Sequence, residues 1–236
     1  VRRRMPAADM SSPSRGKSIM LKSSFVLAAV ALAAAVPASA VVVTPVSVTA
    51  SSTQTHGGFY KAENLINGSG LSGDLHDSNF ANMWMTNQGV GAAQALLTFD
   101  LGAVYTLTSA DIWQYNFGTN TPVISTLDRG VKDFRILTSL DGASFAEVFS
   151  GRMDRAPDGS PIGAQRFAIG GDARYVQIDI LNNYAEGTIY TTYSSGLSEV
   201  RFNAVPEPAT WAMMIGGFAL VGGAVRRTRR AAPLAA

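Results

Sequence analysis

The stretch Tyr175-Val176-Gln177-Ile178-Asp179-Ile180 alternates apolar and polar side chains, and it decides the class of fold. On a β-strand its three aliphatic side chains would share one face, while Gln177 and Asp179 would occupy the other. Such alternation is typical of an antiparallel sheet that buries one of its faces. The pattern therefore predicts a half-buried strand.

The same alternation recurs through the middle of the chain. Further strand candidates are residues 42–48, 97–101, 106–115, 131–139, 145–149, 164–169 and 197–202. Turn signals rich in Gly and Asp separate them, at residues 100–102, 140–142, 157–159 and 170–172. One short helix is predicted at residues 60–66. Many short strands without a long amphipathic helix predict an all-β protein, an antiparallel jelly-roll β-sandwich over residues 41–204.

The N-terminal 40 residues have the features of a secretory signal. Lys22 precedes an almost wholly apolar run at residues 25–35, and the small residues Ala38 and Ala40 follow. A positive region, a short apolar helix and an Ala-x-Ala site define a signal peptide. We expect cleavage after Ala40, so that residues 1–40 are an extension and a signal helix.

The C-terminal segment, residues 205–236, has three parts in a fixed order. Pro206, Glu207 and Pro208 precede an apolar run at residues 209–225, and a basic cluster formed by Arg226, Arg227, Arg229 and Arg230 follows. Seventeen helical residues would span roughly 25 Å, close to the thickness of a bilayer core. We expect a single transmembrane helix whose arginines stay in the cytoplasm while the domain lies outside.

This three-part end resembles the PEP-CTERM sorting signal of Gram-negative bacteria. The resemblance implies an exosortase that removes the tail, and a setting of exopolysaccharide or biofilm production. The expected location is transient anchoring in the inner membrane, followed by the outer envelope or the extracellular matrix. A plain tail anchor is the alternative.

Charge is distributed unevenly along the chain. Residues 41–205 hold nine of the 19 basic and 15 of the 17 acidic residues, a net charge of −6. An acidic domain repels phosphates, so nucleic acid is not an expected partner. The chain has no cysteine, which excludes disulfides and thiolate-ligated metals.

Six sequence motifs in the middle of the chain together resemble a known family. They are residues 60–68 (YKAENLING), Trp84, residues 97–102 (LTFDLG), residues 130–142 (GVKDFRILTSLDG), residues 174–176 (RYV) and residues 197–200 (LSEV). In this order they resemble discoidin domains, the coagulation factor V/VIII C-terminal type. The resemblance implies a galactose-binding-like jelly roll whose loops at one end bind ligands. It departs from animal members in lacking their terminal disulfide.

The sequence favours no catalytic site. His56 and His76 are its two histidines, both in Gly- and Asp-rich sequence that predicts solvated loops. Without a nucleophile-turn motif or a spaced pair of carboxylates, no acid, base or nucleophile is indicated.

Sugar-binding discoidin relatives commonly hold a structural calcium ion, and the resemblance implies where it would lie here. Asn67, Asn82 and Glu199 take the positions of the side-chain ligands. Because Asn67 replaces an aspartate, the site has less negative charge, and any calcium would bind weakly. A hydrogen-bonded clasp without metal is the alternative.

The candidate ligand face lies where one strand enters a loop. Trp113 and Tyr115 fall on the same side by alternation, and their rings could stack on sugars, while Asn116 and Arg129 could bind hydroxyl groups. Alternatively, both rings are ordinary core aromatics. Two functions follow: an exported, non-catalytic carbohydrate- or exopolysaccharide-binding protein, or a structural matrix protein that acts through protein contacts.

Overall fold

The computed structural model of the protein describes residues 40–118, 125–205, 216–217 and 219–222. Within them the strands are β1 (Val41–Val43), β2 (Ser47–Ala50), β3 (Leu71–Ser72), β4 (Leu75–His76), β5 (Trp84–Met85), β6 (Ala95–Gln114), β7 (Asp133–Ser139), β8 (Ala146–Arg152), β9 (Ile162–Gly163), β10 (Gln165–Ile180) and β11 (Gly196–Ala204). Short 3₁₀ turns lie at His56–Gly58, Ala62–Leu65, Phe80–Asn82 and Thr126–Arg129.

Two long strands, β6 and β10, pair antiparallel along most of their length and form the centre of the main sheet. The first half of β6 also pairs with β2, while its second half pairs with β11. The second half of β10 pairs with β7, which pairs with β8, and β1 pairs with β11. The main sheet therefore runs β1-β11-β6-β10-β7-β8, and a small second sheet runs β3-β4-β9.

The main sheet folds over on itself. Phe202 of β11 stands opposite Ala110 of β6, yet its ring centroid lies 5.6 Å from that of Phe99. In a flat strand Phe99 and Ala110 would be separated by about 36 Å. Phe134 of β7 and Phe167 of β10 make a similar contact, at 5.0 Å. The expected antiparallel β-sandwich is therefore confirmed, and its two layers are halves of one hydrogen-bonded sheet.

Two predicted turns, at residues 100–102 and 170–172, are wrong, because both lie inside long strands. Gly102 has a φ of +81° and its N–H donates to the Asp100 side chain, so the glycine bends β6 without ending it. Gly171, with a φ of +103°, lies where the β6–β10 register shifts. The Gly-Asp signals thus mark the place where the sheet folds over.

Other boundaries also differ from the sequence-based expectations. Residues 42–48 form two strands, β1 and the start of β2, with different partners. The short helix expected at residues 60–66 is a 3₁₀ turn over Ala62–Leu65. The turn at residues 140–142 is present: Ser139 and Asp141 accept backbone N–H groups and Gly142 has a φ of +74°.

Because the sheet folds over, both ends of β6 lie at the same end of the sandwich, which we call the loop end. It comprises residues 51–60, 77–94, 115–118, 125–132 and 181–195. Backbone hydrogen bonds connect these segments: Gln54 N donates to Met85 O, Ser195 N to Ala92 O, and Ala185 N to Asp128 O. The opposite end carries the bends of β6 and β10 and the C-terminal end of β11, where Val205 N donates to Thr106 O.

The predicted targeting segments lie largely outside the described residues. These include the signal helix, Ala38 of the cleavage site, the sorting residues Pro206, Glu207 and Pro208, and the four arginines of the tail. Of the predicted transmembrane segment, the described residues 216–217 and 219–222 are helical. No helix among the described residues combines the length and apolar character needed to cross a membrane.

The contact between the layers predicts the effect of one core substitution. Phe202→Ala should reduce the free energy of unfolding by about 3–5 kcal/mol, because it removes a fully buried ring from between the two layers. Val104→Ala, at a side chain 51% exposed, should change it by less than about 0.5 kcal/mol. Urea unfolding of the purified chain measures both values. Equal effects of the two substitutions would contradict the folded-over core.

Candidate functional site

The structure places the four predicted ligand residues in different surroundings. Trp113 is 4% exposed, and its Nε1 donates to the Asp74 carbonyl at 3.0 Å. The Arg201 guanidinium lies 5.7 Å from the ring. Trp113 therefore forms the wall of a groove of about 520 Å³ on the outer face of the sheet, beside Asp111 and Arg166. Its indole N–H is already bonded within the protein.

Asn116 is fully buried and connects neighbouring segments. Its amide donates to the Ser160 carbonyl at 3.0 Å, and Ser198 Oγ donates to its side-chain oxygen at 3.4 Å. These partners occupy the groups that a sugar hydroxyl would need. The position of Asn116 thus favours a supporting role for this residue.

Tyr115 belongs to a small aromatic and methionine cluster at the loop end. Tyr60, Met83 and Met85 surround it, with Phe80 and Phe117 at the margin. Its hydroxyl is buried and has no hydrogen-bond partner of normal geometry. Burial raises the pKa of Tyr115 to about 12, against the opposing influence of Arg129. The hydroxyl therefore stays protonated and is available to donate.

Backbone strain lies next to this hydroxyl. Tyr60 has a φ of +56°, a conformation that costs a non-glycine residue about 1–3 kcal/mol. Burial raises the pKa of Tyr60 as well, whereas Arg129 and the neighbouring Tyr115 side chain lower it. The strained backbone thus holds a second phenol close to Tyr115 and Arg129.

Arg129 ends the 3₁₀ turn Thr126–Arg129 and points into the same region. Its guanidinium carbon lies 5.1 Å from the centre of the Tyr193 ring, within the range of a cation–π contact. Its Nε is buried and has no hydrogen-bond partner. A buried N–H without a protein partner is rare, and a water molecule or a ligand group could complete its bonding.

Tyr193 is a site residue that the sequence analysis missed. Its ring packs against Tyr190 at 5.0 Å, and the Asn183 amide donates to its backbone carbonyl at 2.9 Å. In the sequence, the two tyrosines of Tyr190-Thr191-Thr192-Tyr193 stand out as aromatic residues in a polar loop and could have suggested a binding site. However, only the fold brings it against Arg129. We call the group formed by Tyr60, Tyr115, Arg129 and Tyr193 the loop-end site.

A second polar cluster surrounds Glu199, on the outer face near the 67–69 loop. The Glu199 side chain is fully buried, and its carboxylate accepts from Gly68 N at 3.2 Å and from Arg201 Nε at 3.4 Å. Burial raises its pKa to about 7, although Arg201 and the Gly68 N–H both favour the ionised form. The structure therefore brings the predicted ligand Glu199 to the loop that carries Asn67.

A third asparagine, Asn64, connects Asn67 to the segment that contains Asn82. The Asn67 amide donates to Asn64 Oδ1 at 3.4 Å, and the Asn64 amide donates to the carbonyls of Ala81 and Met83. Asn82 itself donates to Asp77 Oδ2 at 2.9 Å. Asn64 lies within the motif at residues 60–68, and its bridging role depends on contacts distant in sequence.

The expectation of solvated histidines is half correct. His56 is exposed, but His76 is fully buried in β4, where its ring packs beside Gly70 and Nδ1 contacts the Asp77 carbonyl at 2.8 Å. His76 belongs to the small sheet β3-β4-β9, and the glycine-rich sequence around it gives no sign of its burial. Among the described residues, no three His, Asp or Glu side chains lie close enough to form a metal cluster.

Comparison with protein families assigns the class of domain. The model of the F5/8 type C domain matches residues 47–193, and a PEP-CTERM protein-sorting motif matches residues 204–230. The chain therefore belongs to the F5/8 type C, or discoidin, family, and it carries a PEP-CTERM motif at its C-terminal end. No curated protein matches the chain.

Several solved structures are similar to this chain at low identity. The CBM32 of AlyQ in complex with 4,5-unsaturated mannuronic acid is 23% identical, with a TM-score of 0.46 over 69% of this chain and 97% of that one. CBM32-3 from a family 31 glycoside hydrolase of Clostridium perfringens is 18% identical, with a TM-score of 0.48 over 66% and 88%. The family 32 CBM of C. perfringens NanJ in complex with galactose is 16% identical, with a TM-score of 0.46 over 66% and 92%.

Proposed function

We propose that this protein is an exported, non-catalytic module that binds an extracellular polysaccharide through the loop-end site. One observation carries the proposal: Arg129 lies against the Tyr193 ring, and both Arg129 Nε and the nearby Tyr115 hydroxyl lack partners. An aromatic ring can cover the C–H face of a sugar, while unpaired donors can bond its hydroxyl groups. The arrangement thus supplies both types of contact that a sugar needs.

The remaining predicted ligand residues take a different role in this proposal. Trp113 and Asn116 are buried, and their polar groups already have partners inside the domain. We assign both to the support of the strand end from which Tyr115 emerges. Membership of the discoidin family and the carbohydrate-binding modules among similar structures are consistent with a binding role.

The targeting segments suggest where the module acts. The PEP-CTERM motif suggests an exosortase as a partner, with a transient inner-membrane anchor and a final place in the envelope or biofilm matrix of a Gram-negative bacterium. Strand β11 runs from the loop end to the opposite end, immediately before Pro206. Val205, the residue before Pro206, therefore lies at the end of the domain opposite the loop-end site.

A structural matrix protein is the second candidate, and a separate observation favours it. Val90 and Ile189 are 103% and 87% exposed, and their loops meet where Gly89 N donates to Thr192 O. Exposed apolar side chains at adjacent loop tips can serve protein contacts. This candidate predicts that the domain binds other matrix proteins and no glycan.

We also propose that Glu199 and Asn67 hold a weak structural calcium ion, completed by backbone carbonyl oxygens of the neighbouring loops. A fully buried carboxylate that faces a loop is a ligand of the type calcium prefers. Arg201 already offers a positive charge to Glu199, and Asn82 is bonded to Asp77. For these reasons the affinity would be low, and calcium would share Glu199 with Arg201.

The pKa of Glu199 gives this calcium proposal a pH test. A carboxyl whose pKa is raised to about 7 on folding makes the domain less stable as pH rises from about 4.5 to 7, by roughly 3 kcal/mol at most. Above pH 7, millimolar calcium should restore the loss, because it binds the ionised form. Melting curves of the purified chain at pH 5 and pH 7.5, with chelator or calcium, measure both effects.

Glu199→Gln should remove the pH dependence and the calcium response together. Glu147→Gln, at a side chain 45% exposed, is the matched control and should leave both in place. Identical melting curves with chelator and calcium at pH 7.5 would contradict the calcium site, and a flat pH profile in the wild type would contradict the raised pKa.

Arg129→Ala tests the binding site itself. The substitution should leave the melting temperature nearly unchanged and weaken polysaccharide binding at least tenfold, because the ligand loses a charged donor worth about 1.5–3 kcal/mol. Trp113→Ala should instead cost about 3–5 kcal/mol of stability, as expected of a buried ring. A glycan array followed by titration calorimetry measures binding. An Arg129→Ala chain that binds like the wild type would exclude Arg129 from the site, and a wild type without glycan binding would favour the structural candidate.

A further inference from the structure

Arg129 differs from the other arginines of the domain in having no acidic partner. The six others each lie within ion-pair distance of a carboxylate: Arg135 with Asp179, Arg152 with Asp133, Arg155 with Asp128, Arg166 with Asp111, Arg174 with Asp100, and Arg201 with Glu199. Among the described residues no carboxylate is paired with Arg129. Because the domain has more acidic than basic residues, an arginine without an acidic partner is unexpected.

Few acidic residues lie outside the described part of the chain. Residues 119–124, which precede the Thr126–Arg129 turn in the sequence, read TNTPVI and contain no acidic side chain. Outside the described residues, Asp9 and Glu207 are the chain's acidic residues, and both belong to the terminal targeting segments. The neighbouring Asp128 carboxylate already bonds Arg155 Nε at 2.6 Å.

The surroundings of Arg129 raise the cost of leaving its charge unpaired. Arg129 is partly buried: its Nε is shielded from solvent, the Tyr193 ring lies against the guanidinium, and its charge acts on the pKa values of the Tyr60 and Tyr115 phenols. Removing a charge from water is unfavourable unless an opposite charge compensates. A guanidinium matches a carboxylate or sulfate through two parallel hydrogen bonds. Neutral sugar hydroxyls would bond the N–H groups but would leave the charge uncompensated.

We propose that Arg129 binds the negatively charged group of an acidic polysaccharide, either a uronate carboxylate or a sulfate ester. This inference rests on the proposed function, since it names the class of ligand for the loop-end site. The acidic group of one sugar residue would pair with the Arg129 guanidinium, and the Tyr115 hydroxyl would donate to the same sugar. Because the domain as a whole is acidic, the polymer would be held by this local contact and not by a general attraction.

The test uses the full purified chain and polymers that differ only in charge. One arm compares polygalacturonate with its fully methyl-esterified form, and a second arm compares a sulfated galactan with the same galactan after desulfation. We expect at least tenfold tighter binding of the acidic member in one arm, and that arm identifies carboxylate or sulfate as the group recognised. Arg129→Gln keeps hydrogen-bond donors but removes the charge, so it should bind both members of that arm about equally.

Two further variants separate charge from other effects. Arg129→Lys should keep part of the preference for the acidic polymer. Arg152→Gln removes one positive charge from β8, where the side chain is 59% exposed, and should keep the full preference. Melting temperatures confirm that each variant is folded.

The other possible results contradict the inference, the role of Arg129 or the proposed function, as follows. Equal or tighter binding of the neutral polymers by the wild type would overturn the inference and leave the proposed function standing. A preference for the acidic polymer that survives Arg129→Gln would overturn the role of Arg129. Absence of binding to all four polymers and to the neutral glycans of an array would overturn the proposed function and the inference together.

Discussion

The pairing of β6 with β10, bent at Gly102 and Gly171, is the constraint on which the rest of the structure depends. One continuous antiparallel ladder supplies strands to both layers, so the aromatic contacts between layers form only if the ladder folds over. The same bend returns the two ends of β6 to one place. There the loops that follow β2, β5, β6 and β10 meet, and Tyr60, Tyr115, Arg129 and Tyr193 come together from distant parts of the sequence.

Ionic pairing on the surface of the sandwich explains why the loop-end site is chemically distinct. Most acidic side chains on the strands are neutralised locally, as in the bidentate Arg166–Asp111 and Arg174–Asp100 pairs. These pairs satisfy their own charges and leave little capacity for a ligand. Arg129, by contrast, packs against an aromatic ring and lies close to the buried Tyr115 hydroxyl, which has no hydrogen-bond partner. A site for a polar ligand is thus favoured at the loop end over the groove beside Trp113.

The sequence predicted the parts of the fold that depend on local patterns. Alternation at residues 175–180 identified the inner and outer faces of β10 correctly, and Val176, Ile178 and Ile180 are all buried. The same reasoning failed at Gly102 and Gly171, because a glycine that bends a strand and a glycine that ends one have the same local signature. Strand pairing distinguishes the two cases, and single-sequence patterns do not contain it.

The candidate site was predictable only in part for a related reason. Arg129 and Tyr115 were predicted as ligand residues because they lie where a strand ends and a loop begins, and this remains a prediction. Trp113 obeys the same rule, yet the β3-β4 hairpin covers it through Asp74, a contact that no local pattern indicates. Tyr193 and the strained Tyr60 reach the site through packing between loops, so their role depends on long-range geometry. His76, in the same small sheet, is likewise buried without a local sequence signal.

The central claim is that polysaccharide binds at the loop end, and mapping the bound surface tests it most directly. Backbone amide chemical shifts of the isotope-labelled chain, recorded with and without saturating polysaccharide, would locate the contact. The largest changes should cluster in residues 115–118, 125–130 and 182–195, with little change around Thr106 and Asp172 at the opposite end. Changes centred on the groove of Asp111, Trp113 and Arg166, or at the opposite end, would contradict this claim.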